Sequence, residues 1–101
     1  MYDINVNGYK VVKSTWGVHH ATNAPTKFKV LASVEKGAHL KPIIDAVTFD
    51  RVKEIIAKLV NTGVPYISVQ VIVDEPTGGH WHIYYKLYSK ETVKKIASRW
   101  K

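Results

Sequence analysis

The chain has 101 residues, 46% of them hydrophobic, and a formal charge of +7 at pH 7. That length is one domain's worth of chain, and that apolar fraction excludes a disordered or low-complexity polypeptide. The absence of cysteine excludes disulfides, thiol nucleophiles and thiolate metal sites, and no apolar run reaches the roughly 20 residues of a membrane span.

The N-terminal stretch MYDINVNGYK lacks a signal-peptide pattern, so residues 1–101 read as a single cytoplasmic domain with no membrane partner. Its charge is segregated. Lys10 to Lys41 holds six lysines and one acid, Glu35; Pro76 to Lys101 holds six bases and one acid, Glu91. Between them, Pro42 to Glu75 is net negative. Two basic segments that meet on one side of a fold would make a surface for a polyanion.

In chain order, Tyr2–Val6 and Tyr9–Val18 flank Asn7-Gly8, the sequence of a two-residue hairpin turn. His19–Thr26 is polar, contains Pro25 and reads as a loop. Lys27–Val34 alternates, with Phe28, Val30, Ala32 and Val34 on one side, and is a predicted strand. Glu35–Pro42 reads as a loop around Gly37. The clearest helix begins after Thr48, a side chain suited to accept from the first turn, with Asp50 favourably placed at the positive end of the helix dipole. Phe49, Val52, Ile55, Ile56, Leu59 and Val60 then follow helical spacing, and Gly63 stands where a C-terminal cap belongs.

Tyr66–Asp74 and His80–Tyr88 are two further strands joined by Glu75–Gly79, and Ser89 can cap a last helix over Lys90–Trp100. The expected fold is therefore α+β: a mainly antiparallel sheet of about five strands in the order β-β-β-α-β-β-α, with two helices packed on one face.

Strand periodicity divides the last hairpin into two faces. Ile67, Val69, Val71 and Val73 share a side with Trp81, Ile83, Tyr85 and Leu87, a natural floor for the helices. The opposite side carries Tyr66, Ser68, Gln70 and Ile72 beside His80, His82, Tyr84, Lys86 and Tyr88. Lys27 and Lys29 join this side if their strand lies in the same sheet. Aromatic rings interleaved with lysine suit nucleic acid, because bases stack on rings and cations track phosphates. The candidate nucleic-acid-binding residues are Lys27, Lys29, His80, His82, Tyr84, Lys86 and Tyr88, with Lys94 on the last helix extending the basic surface.

His80 and His82, one residue apart on a strand, point the same way and are candidate ligands for a divalent metal such as Mn or Mg. A third ligand would come from His19, His20, His39, Asp74 or Glu75. The segment VQVIVDEPTGGHWHIYYKL, Val69 to Leu87, resembles the His-hydrophobic-His strand of the HUH endonucleases, the replication initiators and relaxases of small replicons. The resemblance extends over Phe49 to Tyr88, where a helix, a strand, a short loop and the His-x-His strand follow one another. It implies a metal held by His80 and His82 that polarises a phosphate of single-stranded DNA, and a tyrosine on a nearby helix that attacks it. Lys90–Trp100 contains no tyrosine, and Tyr84, Tyr85 and Tyr88 share the strand with the histidines. Tyr2 and Tyr9 could serve only in a permuted order, so no catalytic residue is assigned.

Three functions thus stand side by side: a small basic nucleic-acid-binding protein, a metal-dependent strand-nicking enzyme of HUH type, and a protein-binding inhibitor or adaptor using the same Tyr/His/Lys surface. The exposed edge of a long hairpin is also a candidate for pairing in a dimer.

Overall fold

In the computed structural model, which describes residues 2–20, 26–34, 39–46 and 48–91, five strands form one antiparallel sheet. Strand β1 is Tyr9–Gly17, β2 is Lys27–Ser33, β3 is Lys41–Ala46, β4 is Tyr66–Asp74 and β5 is His80–Ser89; helix α1, Phe49–Val60, lies between β3 and β4 in the chain. The spatial order is β1-β5-β4-β2-β3. The hairpin β4–β5 thus sits inside the sheet, with β1 added to its outer side.

The floor expected from alternation is the core. Ile67, Val69, Val71 and Val73 of β4 and Trp81, Ile83, Tyr85 and Leu87 of β5 are all buried, together with Phe28, Val30 and Ala32 of β2. Helix α1 lies across β2, β3 and β4 and buries Val52, Ile55 and Ile56 against them. It begins where the sequence predicts: the Thr48 hydroxyl accepts from the Arg51 backbone N–H at 3.3 Å, satisfying one of the free donors of the first turn. Gly63, at φ +76°, follows the last turn and donates its N–H to the Val60 carbonyl.

Two expectations need correction, and a third lies mostly outside the described residues. Tyr2–Val6 is not a strand. Its alternating Tyr2, Ile4 and Val6 pack against the core instead of entering the sheet. Tyr2 places its ring among Phe28, Phe49 and Trp81, and its carbonyl accepts the Tyr85 hydroxyl. The alternation recorded an extended segment with one buried side, which a strand and a strap satisfy equally well. The Asn7–Gly8 turn does form, with Gly8 at φ +88°, but it delivers the chain to β1, whose partner is β5.

Strand β3 begins inside the stretch read as a loop. Pro42 removes a ladder donor, but β3 is a sheet edge, where a proline is tolerated, and a register shift opposite Val30 and Leu31 accommodates it. Finally, α1 is the one complete helix among the described residues, where two were expected. The helix expected over Lys90–Trp100 is represented by Lys90 and Glu91, which are helical; the rest of it, Lys94 included, lies outside the described residues.

Candidate functional site

The helix and the Tyr2–Val6 strap occupy one face of the sheet, and among the described residues no element covers the other, the open face. Register sorts its side chains into rows, since residues directly opposite on antiparallel strands share a face. Across β1, β5 and β4 run Lys10–Tyr88–Tyr66, then Val12–Lys86–Ser68, then Ser14–Tyr84–Gln70, then Trp16–His82–Ile72. The last row ends on His80 opposite Asp74. On β2, Leu31 faces Gln70, Lys29 faces Ile72 and Lys27 faces Asp74.

Down β5 the open face is a continuous column of His80, His82, Tyr84, Lys86 and Tyr88, so five of the predicted residues come together. The His82 and Tyr84 rings are nearly parallel, 13° apart with centroids at 6.1 Å. His80 stands edge-on to His82 at 5.8 Å, and Tyr66 edge-on to Tyr88 at 5.2 Å. Trp16 closes the row from β1 with its ring 5.7 Å from His82, and 69% of Trp16 is exposed.

Lys27 and Lys29 share this face but stand two strands from the column, about 10 Å away by strand spacing. Each has a carboxylate opposite it: Asp74 across from Lys27 and Asp45 across from Lys29. The two lysines without an acid opposite are Lys86 and Lys10, whose cross-strand neighbours are Ser68 and Tyr88. The positive, aromatic part of the face is therefore the β1–β5 side.

Lys10 and Trp16 were not singled out by the sequence. Lys10, Val12, Ser14 and Trp16 alternate plainly enough, but only the pairing of β1 with β5 tells which side of β1 joins the histidine column. The remaining lysine of β1, Lys13, lies on the opposite side, where its ammonium is 2.5 Å from the Asp3 carboxylate. That hydrogen bond and charge hold the Asp3 carboxyl below the usual carboxylate range.

A glycine and a buried acid fix the end of the column. Gly17, at φ +120°, brings β1 so close to β5 that a Cβ there would stand 2.7 Å from Trp81 Cα. Beyond it, the Val18 N–H donates to the His80 carbonyl at 3.1 Å. Glu75 is buried; its carboxylate accepts the His20 N–H and lies 3.5 Å from His19 Nε2. Asp74 and Glu75 thus part company as strand alternation requires, the first exposed on the open face and the second turned inward.

The Gln70 amide nitrogen lies 2.6 Å from His82 Nδ1 and 3.4 Å from the Tyr84 hydroxyl. An amide nitrogen only donates, so His82 Nδ1 accepts and the neutral ring carries its proton on Nε2. A metal on Nε2 requires the other tautomer, with the Gln70 side chain turned to present its oxygen to an Nδ1–H. The His80 and His82 ring centroids lie 5.8 Å apart, and no three His, Asp or Glu side chains among the described residues gather into a metal-binding group. Of the third ligands considered in the sequence, Glu75 is buried, with the His19 ring beside it and the His20 backbone N–H bonded to it, and Asp74 stands opposite His80 on the open face.

The tyrosines divide between the two faces. Tyr66, Tyr84 and Tyr88 lie on the open face. Tyr2 packs in the core, Tyr9 donates its hydroxyl to the Val64 carbonyl, and Tyr85 is fully buried. Neither Tyr2 nor Tyr9, the permuted candidates, shares the face of His80 and His82.

No family model matches the chain, and neither the curated proteins nor the solved structures contain a match to it. No helix among the described residues is long and apolar enough to cross a membrane.

Proposed function

We propose that the open face of the sheet binds single-stranded nucleic acid along β5 and β1. The observation that carries this reading is the run of rings Trp16, His82 and Tyr84, continued along the strands by Lys86 and Lys10. Unpaired bases offer flat faces that stack on exposed rings whatever their sequence, whereas in a duplex those faces are already occupied. Lys86 and Lys10 meet phosphates at the Tyr84 end of the rings, and Tyr88 adds a hydroxyl or a further ring. Lys27 and Lys29, each beside an aspartate, make a weaker second bank for the strand. Lys94, on the helix expected over Lys90–Trp100, enters this reading from the sequence alone and extends the basic surface.

His80 and His82 have two roles in this account. As neutral rings, they stack and donate Nε2–H to phosphate or base. With Mn or Mg present, they supply two nitrogen ligands, and phosphate oxygens and water complete the ion's coordination. The second role takes up the feature shared with HUH enzymes without requiring a tyrosine nucleophile.

The test is a titration of fluorescently labelled single-stranded and duplex oligonucleotides at two salt concentrations, with and without Mn²⁺. The expected result is preference for the single strand and an affinity that falls with salt. Three or four phosphate contacts give a log–log slope of roughly −2 to −3 for single strands. Absence of binding at low salt rejects the reading and leaves a protein partner for the same surface. Mn²⁺-dependent cleavage would instead support the nicking enzyme.

A further inference from the structure

The two edges of the sheet are built differently. Strand β3 is six residues long and carries Pro42 and a register shift, devices that discourage another strand from adding. Strand β1 is nine residues long, contains no proline, and pairs with β5 without a shift.

The direction of its backbone groups follows from its two ends. The Gly8 carbonyl accepts from the Lys90 N–H, and the Val18 N–H donates to the His80 carbonyl. Even-numbered residues of β1 therefore turn their backbone groups toward β5, and odd-numbered residues such as Val11, Thr15 and Gly17 turn theirs toward the outer edge. Of the large apolar side chains exposed among the described residues, Val12 and Trp16 lie on this strand and Val18 just beyond it.

We propose that a second copy of the chain adds to this edge, β1 antiparallel to β1, with the two-fold axis passing through Ser14. This register sets Val12 of each copy against Trp16 of the other on the open face, and Ser14 against Ser14 at the axis. On the other face, Val11 meets Gly17 and Lys13 meets Thr15, so no like charges stand directly opposite. A two-fold axis through Lys13 would instead set that lysine against itself, which is destabilising. Because outward hydrogen bonds belong to the odd residues, Ser14–Ser14 and Val12–Trp16 are non-hydrogen-bonded pairs. Those bring Cα atoms to about 4.5 Å and side chains into closest contact.

The product is a ten-stranded sheet whose two open faces merge, with an apolar Val12/Trp16 strip between two His/Tyr/Lys columns. The formal charge of +7 on each copy opposes association, and physiological salt screens charges beyond about 8 Å. Trp16 belongs both to this seam and to the proposed nucleic-acid surface, so the dimer is measured in the absence of nucleic acid.

Sedimentation equilibrium at physiological salt, across a wide range of protein concentration, tests it with three variants. Wild type is expected at twice the chain mass and Thr15→Pro at the mass of one chain. The Thr15 N–H faces away from β5, so proline there costs no ladder bond within one copy, and its far-ultraviolet circular dichroism should match wild type. Since the chain has no cysteine, Ser14→Cys supplies a single thiol at the axis, within the Cα range of a disulfide. Mild oxidation is expected to link Ser14→Cys as a dimer and to leave Lys10→Cys unlinked. A wild-type protein that stays monomeric up to millimolar concentration overturns the proposal. So does Lys10→Cys linking as readily as Ser14→Cys.

Discussion

The Gln70 side-chain amide donates to His82 Nδ1 at 2.6 Å across the β4–β5 pair, and so decides which nitrogen of that imidazole faces out as a donor. A glutamine in the middle of a strand contributes little to burial. Its place opposite Tyr84, diagonal to His82, lets one amide nitrogen reach both side chains. The neutral His82 ring is therefore held as the Nε2–H tautomer, ready to donate to a phosphate or a base edge.

Substituting Gln70→Leu removes that constraint. Nitrogen-15 spectra of the imidazoles should show a clear Nε2–H preference at His82 in the wild type and a mixed population in the variant. An unchanged tautomer in Gln70→Leu would mean that another group orients the ring.

Trp16→Ala separates binding from folding. With 69% of the residue exposed, the indole holds little of the fold together, and stability should change by no more than about 0.5 kcal/mol. Loss of one base-stacking ring should weaken single-strand binding by about 1–3 kcal/mol, roughly 5- to 150-fold. Chemical denaturation and an oligonucleotide titration on the same preparation check both halves.

How much of this was legible in the sequence depended on how local each signal was. The β4–β5 hairpin and α1 were readable because each records its own burial: alternation over Ile67–Val73 and Trp81–Leu87, and helical spacing from Val52 to Val60 after Thr48. Tyr2–Val6 misled because period-2 alternation reports one buried side and says nothing about backbone pairing. Strand β3 was missed because it begins inside the polar stretch around Gly37 that reads as a loop, and its six residues are too few to record a clear period. Lys10 and Trp16 were missed for a different reason. Their membership of the site follows from the pairing of β1 with β5, which join across more than sixty residues of chain in a register that nothing local records. The His80–Tyr88 column was legible because all of it lies on one strand.

Gly17→Ala tests the close approach that brings β1 against β5. A Cβ at Gly17 meets Trp81 Cα, a backbone atom with no room to yield, and the φ of +120° is unfavourable for alanine in any case. The expected loss is about 2–4 kcal/mol in urea unfolding. Gly78→Ala also has a positive φ, +95°, but opens onto empty space, so its cost should be limited to about 1–2 kcal/mol of backbone strain. Equal losses at the two positions would contradict the tight contact.

Tyr85 governs the alkaline limit. Burial, reinforced by the negative charge of Asp3, pushes its phenol well above the ordinary tyrosine value of 10.0. The folded state favours the neutral ring, so its contribution is fully present below the ordinary value. It is lost as pH rises above that value toward the folded-state pKa, because the unfolded chain ionises first. Phenolate absorbance followed with pH should show one tyrosine that ionises together with unfolding, and Tyr85→Phe should remove that lagging step. A phenol at Tyr85 that titrates reversibly in the folded protein would contradict its burial.

The most direct test of the central claim is to map binding on the protein itself. Titrating an unstructured pyrimidine oligonucleotide into nitrogen-15-labelled protein should shift the resonances of Lys10, Trp16, His82, Tyr84 and Lys86 and leave those of Arg51 to Lys58 on α1 in place. Shifts centred on α1, with the β1–β5 face unmoved, would contradict the account.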